Sequence, residues 1–300
     1  MKNFNDSLQH FLFEDNLNQP MPIRGNLVHL NQTFKQVLQH QTLPTVLKQA
    51  LGELMAASAL LSATLKMDGA LVLQLQSKGA LKLLVVECSH DLNMRATAKW
   101  DETLSNEMNN FPFINLVKNG QFVITLDPSV GEAYQGIVPI EGVTIAEMLQ
   151  NYMLRSQQID TSLWLHCDSE SASGILLQKL PNLDNLDVDA WNRMNILANT
   201  VTNEELKNLN PEALLRRLFS EENVRLFDAK STQFRCSCSK PKVGNMLRLL
   251  GKQEVESILA ELGKIEVNCD FCNKHYSFDT VDAAQLLASE LSVKTSAAKH

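Results

Sequence analysis

Four of the six cysteines in this chain lie close together in its last quarter. Cys236 and Cys238 form a CxC pair in "FRCSCSKPK", and Cys269 and Cys272 form a CxxC pair in "VNCDFCNKHYSF". Two closely spaced pairs of thiolates can hold a tetrahedral zinc ion, and closely spaced thiols can also carry out redox chemistry. Four readings are therefore open: a structural zinc site, a nucleic-acid-binding module, a redox enzyme and a redox switch.

The residues around the two pairs favour a zinc ion held by all four cysteines. The CxxC pair lies in a stretch that alternates like a β-hairpin, and the segment between the pairs predicts two short helices separated by Gly251. His275 completes a CxxCxxH pattern, so three cysteines and one histidine form an alternative ligand set. Four unliganded buried cysteines are disfavoured because this region does not resemble a core strand. Cys88 and Cys167 end predicted strands, and we expect them to be small buried or half-buried residues.

The CxC spacing indicates chemistry beyond structural zinc binding. Plain zinc ribbons use CxxC twice, whereas a disulfide between residues i and i+2 closes a small, strained ring. Residues 229–252 carry six bases and no acid, namely Lys230, Arg235, Lys240, Lys242, Arg248 and Lys252. These bases can offset the negative charge of a zinc tetrathiolate and would favour thiolates after metal loss. They also fit a nucleic-acid surface, but only Phe234 among them offers an aromatic ring for stacking.

Length and composition are those of a globular protein. The chain has 300 residues, 44% of them hydrophobic and 20% charged, which suggests about two domains. The net charge of -7 argues against nucleic-acid binding through bulk electrostatics. The N-terminus shows no secretory signal, and the longest apolar run, residues 54–65, is too short to span a bilayer. These features predict a cytoplasmic protein without a membrane segment, in which paired cysteines are metal ligands or redox centres.

Hydrophobic patterns predict the elements that must position the cysteines. Residues 23–30 alternate like a strand, and a helix, a break near Pro44 and a longer helix ending at Gly69 follow. The second half of the longer helix has no polar face, so we expect sheets packed on more than one side of it. Further strands are predicted in "ALVLQLQ", "GALKLLVVEC", "NMRATAKW", "GQFVITLD", "YQGIVPIE", "TSLWLHC" and "SGILLQKLP", with an amphipathic helix in "VTIAEMLQNYMLRS". Strands and helices do not alternate strictly, so the predicted class is antiparallel α+β.

The composition changes between residues 182 and 228. This segment mixes apolar residues with many charges and reads as helical pieces, one of them with Pro211 in its first turn. It is too small for a core of its own, so its order should depend on what it packs against. We therefore predict an N-terminal α+β domain over 1–181, a helical linker over 182–228 and a zinc module over 229–300.

Several stretches make the chain recognisable as a whole. They are the CxC and CxxC pairs at their spacing, "ALGELMAASALLSATLK", "LKLLVVEC" and "YQGIVPIEGVTIAEMLQNYMLRSQQIDT". With them the chain resembles, over almost its full length, the redox-regulated 33-kDa heat-shock chaperone family of bacteria. The resemblance implies a holdase that is inactive when reduced and zinc-bound and active when oxidised. It implies no enzymatic activity, and the absence of a Walker-type phosphate loop fits independence from ATP.

The resemblance also assigns residues and partners. It implies zinc on Cys236, Cys238, Cys269 and Cys272, and on oxidation the disulfides Cys236–Cys238 and Cys269–Cys272, zinc release, linker unfolding and an active homodimer. Strain in the smaller CxC ring leads us to expect the CxxC disulfide first. The expected partners are unfolding client proteins, with no nucleic acid and no membrane. The residues predicted to bind clients are Leu186, Trp191, Ile196, Leu197, Leu214 and Leu218.

Two other functions remain as alternatives. A thiol oxidoreductase would need an exposed, low-pKa cysteine beside a resolving partner on a thioredoxin-like frame, and neither "CSC" nor "CDFC" has that sequence context. A zinc ribbon that binds RNA or a ribosomal partner would show salt-sensitive binding in the reduced form.

Overall fold

The computed structural model describes residues 4–104, 107–181, 187 and 189–287. It divides into two compact units, the first ending at Arg235 and the second beginning at Cys236. The division into domain, linker and zinc module stays a prediction. The elements of the first unit are β1 (Ser7–Glu14), β2 (Pro20–Leu30), α1 (Gln32–Leu38), α2 (Thr45–Ser62), β3 (Gly69–Gln76), β4 (Leu81–Ser89), β5 (Asn93–Trp100), two 3₁₀ turns (Glu102–Leu104 and Met108–Asn110), α3 (Phe113–Leu116), β6 (Gln121–Pro128), β7 (Tyr134–Pro139), α4 (Ile145–Ser156), β8 (Thr161–Cys167), β9 (Ala172–Lys179), α5 (Ala190–Ala198), α6 (Asn203–Asn208), α7 (Pro211–Leu218), β10 (Asn223–Leu226), β11 (Lys230–Ser231) and β12 (Gln233–Phe234). Those of the second unit are α8 (Lys240–Leu250), α9 (Lys252–Leu262), β13 (Ile265–Asn268) and β14 (His275–Phe278).

The first sheet is antiparallel and runs in the order β10-β1-β2-β9-β8, with β11 also paired to β1. Its second strand, β2, matches the predicted strand at 23–30, but β1, β10 and β11 were not predicted. Phe11 on β1 lies opposite Gly25 on β2, and a Cβ at Gly25 would come within 2.0 Å of the Phe11 ring. Glycine is therefore required at position 25, since it lets the aromatic ring lie flat across the neighbouring strand.

The second sheet runs in the order β12-β5-β4-β3-β6-β7. Its pairs are antiparallel except the short β12, which lies parallel to β5 with Gln233 opposite Asn93. The predicted strands of the meander and of the later pair all lie in this sheet. The sequence pattern in β12 is only two residues long, so periodicity could not have predicted it.

Helix α2 is the buried centre of the first unit. Its second half is buried on every side, and its side chains join residues of both sheets in one hydrophobic core. This confirms the prediction of antiparallel sheets layered around a buried helix. The predicted end at Gly69 was wrong, because the helix ends at Ser62 and Gly69 begins β3. The Thr64 hydroxyl donates to the Leu61 carbonyl at 2.7 Å, a local bond that competes with further helix.

Helices α5, α6 and α7 lie on one face of the first sheet. Helices α5, α6 and α7 bury apolar side chains against β1, β2 and β9, and together they form a second hydrophobic cluster. Thr202 begins α6 in a capping box, and Asn210 caps α7 with Pro211 in its first turn, as the sequence predicted for that proline. The segment is not purely helical, since β10 pairs with the edge strand β1.

The second unit is small. Helices α8 and α9 meet at Gly251, whose φ of 90° favours glycine, and this confirms the two predicted short helices. The strands β13 and β14 form an antiparallel hairpin, and residues 280–287 are helical. Among the described residues of this unit, its buried hydrophobic core contains seven side chains: Val243, Leu247, Val255, Ile265, Tyr276, Phe278 and Ala283.

None of the helices in the described part of the chain combines the length and hydropathy needed to cross a membrane.

Candidate metal centre

The second unit brings four sulfur atoms together. The Sγ atoms of Cys236, Cys238, Cys269 and Cys272 all lie within 4.8 Å of one another. The Cys236 and Cys269 sulfurs are 3.7 Å apart, and those of Cys238 and Cys272 are 3.4 Å apart. In the described residues these four cysteines can hold a metal ion, and each contributes one thiol that is partly exposed to solvent.

Two different local structures position the sulfurs. Cys236 and Cys238 lie in an extended stretch that ends where the Ser239 side chain caps α8. Cys269 and Cys272 lie in the turn of the β13–β14 hairpin, where the Cys269 amide donates to the Lys274 carbonyl at 3.0 Å and Asn273 takes a φ of 55°. The tight turn directs both thiols to the same side, as the hairpin-like sequence predicted.

The geometry of the cluster fits a zinc ion. Zinc–sulfur bonds are about 2.3 Å long, so the sulfurs of a tetrahedral site lie about 3.8 Å apart. The two closest sulfur–sulfur distances, 3.7 Å and 3.4 Å, are near that value, and the sulfurs are not covalently bonded. Four thiols at this spacing are a soft donor set, which suits zinc and other thiophilic metals rather than magnesium or calcium.

Hydrogen bonds distinguish Cys238 from the other cysteines. The phenol of Tyr276 donates to the Cys238 Sγ at 3.0 Å. Burial opposes ionisation of Cys238, but the bonds from Tyr276 and the neighbouring thiols outweigh it and lower its pKa to about 7. Burial raises the pKa of Cys236, and burial together with the shared hydrogen bonds raises that of Cys272 to about 12. Without metal the cluster therefore keeps several protons, and metal binding must displace them.

His275 does not belong to the sulfur cluster. Its Nδ1 is 2.9 Å from the Asn268 Oδ1 across the hairpin, and its Nε2 is 3.5 Å from a carboxylate oxygen of Glu266. The side chain is half exposed to solvent. These contacts favour four cysteines over the alternative of three cysteines and His275.

The two remaining cysteines are buried in the first unit, as predicted. Burial raises the pKa of Cys88 to about 12 and also raises the pKa of Cys167. The Cys167 thiol donates to the Asp168 carbonyl at 3.3 Å. Both thiols are poor nucleophiles at neutral pH, because it is the thiolate that reacts.

The predicted client-binding residues occupy different environments. Leu214 is completely buried and Leu218 is 3% exposed, whereas Ile196 is 66% exposed. Trp191 and Leu197 are half-buried against the cluster on the first sheet. Leu186, the sixth member, lies outside the described residues.

Tyr276 was not among the residues that the sequence pattern predicted for the site. The alternating pattern could have predicted that Tyr276 is buried, because alternation along β14 directs Tyr276 and Phe278 to the same face of the hairpin. Tyr276 is 6% exposed and Phe278 is 1% exposed. A buried tyrosine needs a hydrogen-bond partner for its hydroxyl, and near a CxxC turn a sulfur is the nearest candidate.

These features define a class of protein: an α+β fold with a separate small unit built around a cluster of four cysteines that can hold a metal ion. Comparison with known proteins agrees over nearly the whole chain. The family described as "Hsp33 protein" matches residues 6–279. The chain therefore belongs to the Hsp33 family.

Individual relatives support the assignment. The "33 kDa chaperonin" of Methylobacillus flagellatus is 56% identical over 98% of this chain and 99% of its own. The protein of the same name from Chromobacterium violaceum is 45% identical over 99% of both chains. The crystal structure of the 33 kDa chaperonin from Thermotoga maritima covers 96% of this chain and 99% of its own, with a TM-score of 0.77 and 21% identity, and it shows that the fold is shared.

Proposed function

We propose that this protein is an ATP-independent holdase chaperone controlled by oxidation of its four-cysteine centre. The reduced, zinc-bound form is inactive, and the oxidised form binds unfolding proteins and prevents their aggregation. The observation that carries the proposal is the cluster of four sulfurs within 4.8 Å in a member of a chaperone family. We place this activity in the cytoplasm, where reduced thiols are the resting state.

Zinc is the metal that best explains the second unit. The core that the described residues of this unit form is small for an independently stable fold. In small zinc modules the binding free energy, about 10 to 16 kcal/mol, is largely folding free energy. Cys236, Cys238, Cys269 and Cys272 would hold the ion, and its loss would remove most of the stability of this unit.

Oxidation supplies the signal. Two disulfides, Cys236–Cys238 and Cys269–Cys272, would consume all four ligands and release the ion. Closure within each pair is favoured because its partners are near neighbours in the sequence. The longer CxxC ring should close before the strained CxC ring.

Release of the linker, residues 182–228, would then expose the client-binding surface. The short strands β11 and β12 immediately precede Cys236 in the sequence. Unfolding of the second unit would therefore free the chain that follows these two strands. The linker helices cover an apolar sheet face that contains Phe11, Ile23 and Ile175. Separation exposes both this face and the buried linker residues Leu214 and Leu218, which are suited to bind unfolded chains. The same exposed surfaces would allow the active form to dimerise.

The alternatives are less well supported by the site. The CxxC pair lies in a hairpin turn, not at the start of a helix in a thioredoxin-like frame, which disfavours an oxidoreductase. In the basic run, Lys240 pairs with Asp282 and lies over the Phe278 ring, and Lys252 pairs with Glu256. These pairings disfavour a continuous phosphate-binding surface.

The test compares reduced and peroxide-treated protein at mildly elevated temperature. We expect the oxidised protein to release its zinc and to suppress light scattering by a heat-unfolding client, while the reduced protein does neither. A Cys88→Ser, Cys167→Ser double variant is the matched control and should switch like wild type, because these thiols are buried in the first unit and do not belong to the four-cysteine cluster. Equal suppression of scattering by reduced, zinc-bound and oxidised, zinc-free protein would contradict the proposal.

A further inference from the structure

Tyr276 contacts the sulfur cluster without being one of its ligands. Its hydroxyl donates to the Cys238 Sγ at 3.0 Å from a side chain that is 6% exposed. It is one of three tyrosines in the chain, and the other two, Tyr134 and Tyr152, lie in the first unit. A buried phenol pays a desolvation cost unless its hydroxyl is bonded, so the Cys238 sulfur and the Tyr276 hydroxyl hold each other in place.

The contact is specific to one sulfur. The Tyr276 hydroxyl contacts the Cys238 sulfur, while thiol–thiol contacts join Cys236 to Cys269 at 3.7 Å and Cys238 to Cys272 at 3.4 Å. In the zinc-bound protein all four sulfurs would be thiolates, so the pKa differences of the metal-free cluster would not set their order of reaction. A hydrogen bond to such a thiolate draws electron density from the sulfur and occupies one of its lone pairs, which are the electrons that attack an oxidant.

We propose that Tyr276 is a positioning residue that holds Cys238 in its ligand geometry and delays oxidation of the CxC pair relative to the CxxC pair. The delaying role rests on the proposed redox function, since it concerns the order of oxidation. The positioning role, support of Cys238 as a metal ligand, concerns the reduced protein alone. Packing of the Tyr276 ring in the small core links this role to the folded state, because unfolding of the hairpin removes the donor.

The redox step that Tyr276 delays is the attack of a thiolate on a peroxide. The sulfur lone pair attacks one oxygen of hydrogen peroxide, the O–O bond breaks, and the products are a sulfenic acid and hydroxide. The neighbouring thiol of the same pair then displaces water from the sulfenic sulfur, forming the disulfide. Each pair loses two electrons to one peroxide molecule. The phenol takes no part in the electron balance and must leave the Cys238 sulfur before that sulfur reacts.

The first test is made on reduced protein without oxidant or client. Tyr276→Phe keeps the ring and removes the hydroxyl, and we expect zinc affinity, measured by competition with a chelator, to fall about 10- to 100-fold, as for other outer-shell partners of metal ligands. Tyr134→Phe is the matched control, because Tyr134 is 55% exposed in the first unit. Unchanged zinc affinity in Tyr276→Phe would overturn the supporting role, whatever the outcome of any chaperone assay.

The second test follows partial oxidation by peroxide with mass mapping of the disulfides. Wild-type protein should show Cys269–Cys272 first, and Tyr276→Phe should show a larger early fraction of Cys236–Cys238. An identical order and rate in both proteins would overturn the delaying role. If the oxidised proteins fail to hold clients but the order still shifts, the proposed chaperone function fails and the role of Tyr276 stands.

A spectroscopic measurement covers the case in which Tyr276→Phe does not fold. In a Tyr134→Phe, Tyr152→Phe background, Tyr276 is the sole tyrosine of the chain. Its Raman doublet in the zinc-loaded protein should be that of a strong hydrogen-bond donor and should change to that of a water-exposed phenol when zinc is removed. A doublet typical of a solvent-exposed phenol in the zinc-loaded protein would contradict the contact.

Discussion

At the residue scale, two partly or fully buried side chains differ in the protonation state that their surroundings favour: Cys238 is favoured as the charged thiolate and His29 as the neutral imidazole. Cys238 is half-buried, and the donors around its sulfur lower its pKa to about 7. His29 on β2 is buried beneath α6, and its Nε2 donates to the Leu206 carbonyl at 2.7 Å. Its Nδ1 has no hydrogen-bond partner among the described residues, and burial lowers its pKa to about 4. A neutral imidazole is therefore part of the contact between the first sheet and the linker.

This contact predicts that acid loosens the linker. His29 has a pKa of about 4 when packed and an ordinary value of 6.5 when released, so the packed form binds fewer protons between these values. The free energy that holds the linker is fully present above 6.5 and falls as pH decreases toward 4, by about 1.4 kcal/mol per unit. At about pH 5, reduced wild-type protein should show more proteolysis near Lys207 than at neutral pH, and His29→Gln should show a weaker pH dependence.

A matched control is His90→Asn, because His90 is half exposed beside Asp68 and Asp91. It should retain the wild-type acid sensitivity. Zinc content must be measured in parallel, since protons also compete with the metal for the thiolates. Acid sensitivity that persists in His29→Gln while zinc stays bound would show that another group controls the linker.

At the element scale, the linker helices are held by a few polar bonds and one apolar face. Lys207 on α6 pairs with Asp168 after β8, and the Trp164 indole on β8 donates to Asn199. Arg193 and Arg217 pair with acids within the linker itself. Most of the docking free energy must therefore come from the buried apolar face.

Truncation of that face should release the linker in reduced protein. Leu214 on α7 is completely buried, so Leu214→Ala should cost about 2 to 5 kcal/mol. Such a loss is enough to populate the released state, so the variant should suppress client aggregation before oxidation. Leu197→Ala should have a smaller effect, because Leu197 is half-buried.

Ile196→Ala is the matched control on the same segment, because Ile196 is 66% exposed and contributes little to docking. It should remain inactive when reduced. If all three reduced variants bind clients, or if none of them does, chaperone activity does not depend on linker docking. Light scattering and protease sensitivity measured together give the result.

At the scale of the whole molecule, the two units differ in what stabilises them. The first has a large core around α2 that draws on both sheets. In the part of the second unit that the structure describes, the buried hydrophobic core has seven side chains, and the four cysteine sulfurs cluster beside one another. Metal binding should therefore contribute a large share of the stability of the second unit and little of that of the first.

Metal removal should accordingly unfold one unit and spare the other. When reduced protein is treated with a chelator, we expect amide hydrogens in α8 and α9 to lose their exchange protection, while those in β3, β4 and β5 keep it. Zinc should restore protection, and magnesium should not, because thiolates are soft ligands. Full protection of α8 in metal-free protein would show that the unit folds without the ion.

The sequence alone determined the features that depend on residue type and short spacing. The CxC and CxxC pairs predicted the four cysteines that the fold brings together, alternation predicted β3 to β7 of the second sheet, and the all-apolar run predicted that α2 is buried. Pro211 and Gly251 marked a helix start and a break between helices because their own backbone limits act locally.

The tertiary structure alone decided what depends on partners far along the chain. Strand β12 exists because Gln233 pairs with Asn93, and β10 because it lies beside β1. The sequence could not say that Leu214 is buried while Ile196 is exposed, since both belong to short helices whose orientation is set by the sheet beneath them. The same holds for Tyr276: its hydroxyl reaches Cys238 only when a hairpin and an extended stretch 38 residues apart fold onto each other. Spacing along the chain carries residue chemistry, but long-range packing determines which groups meet.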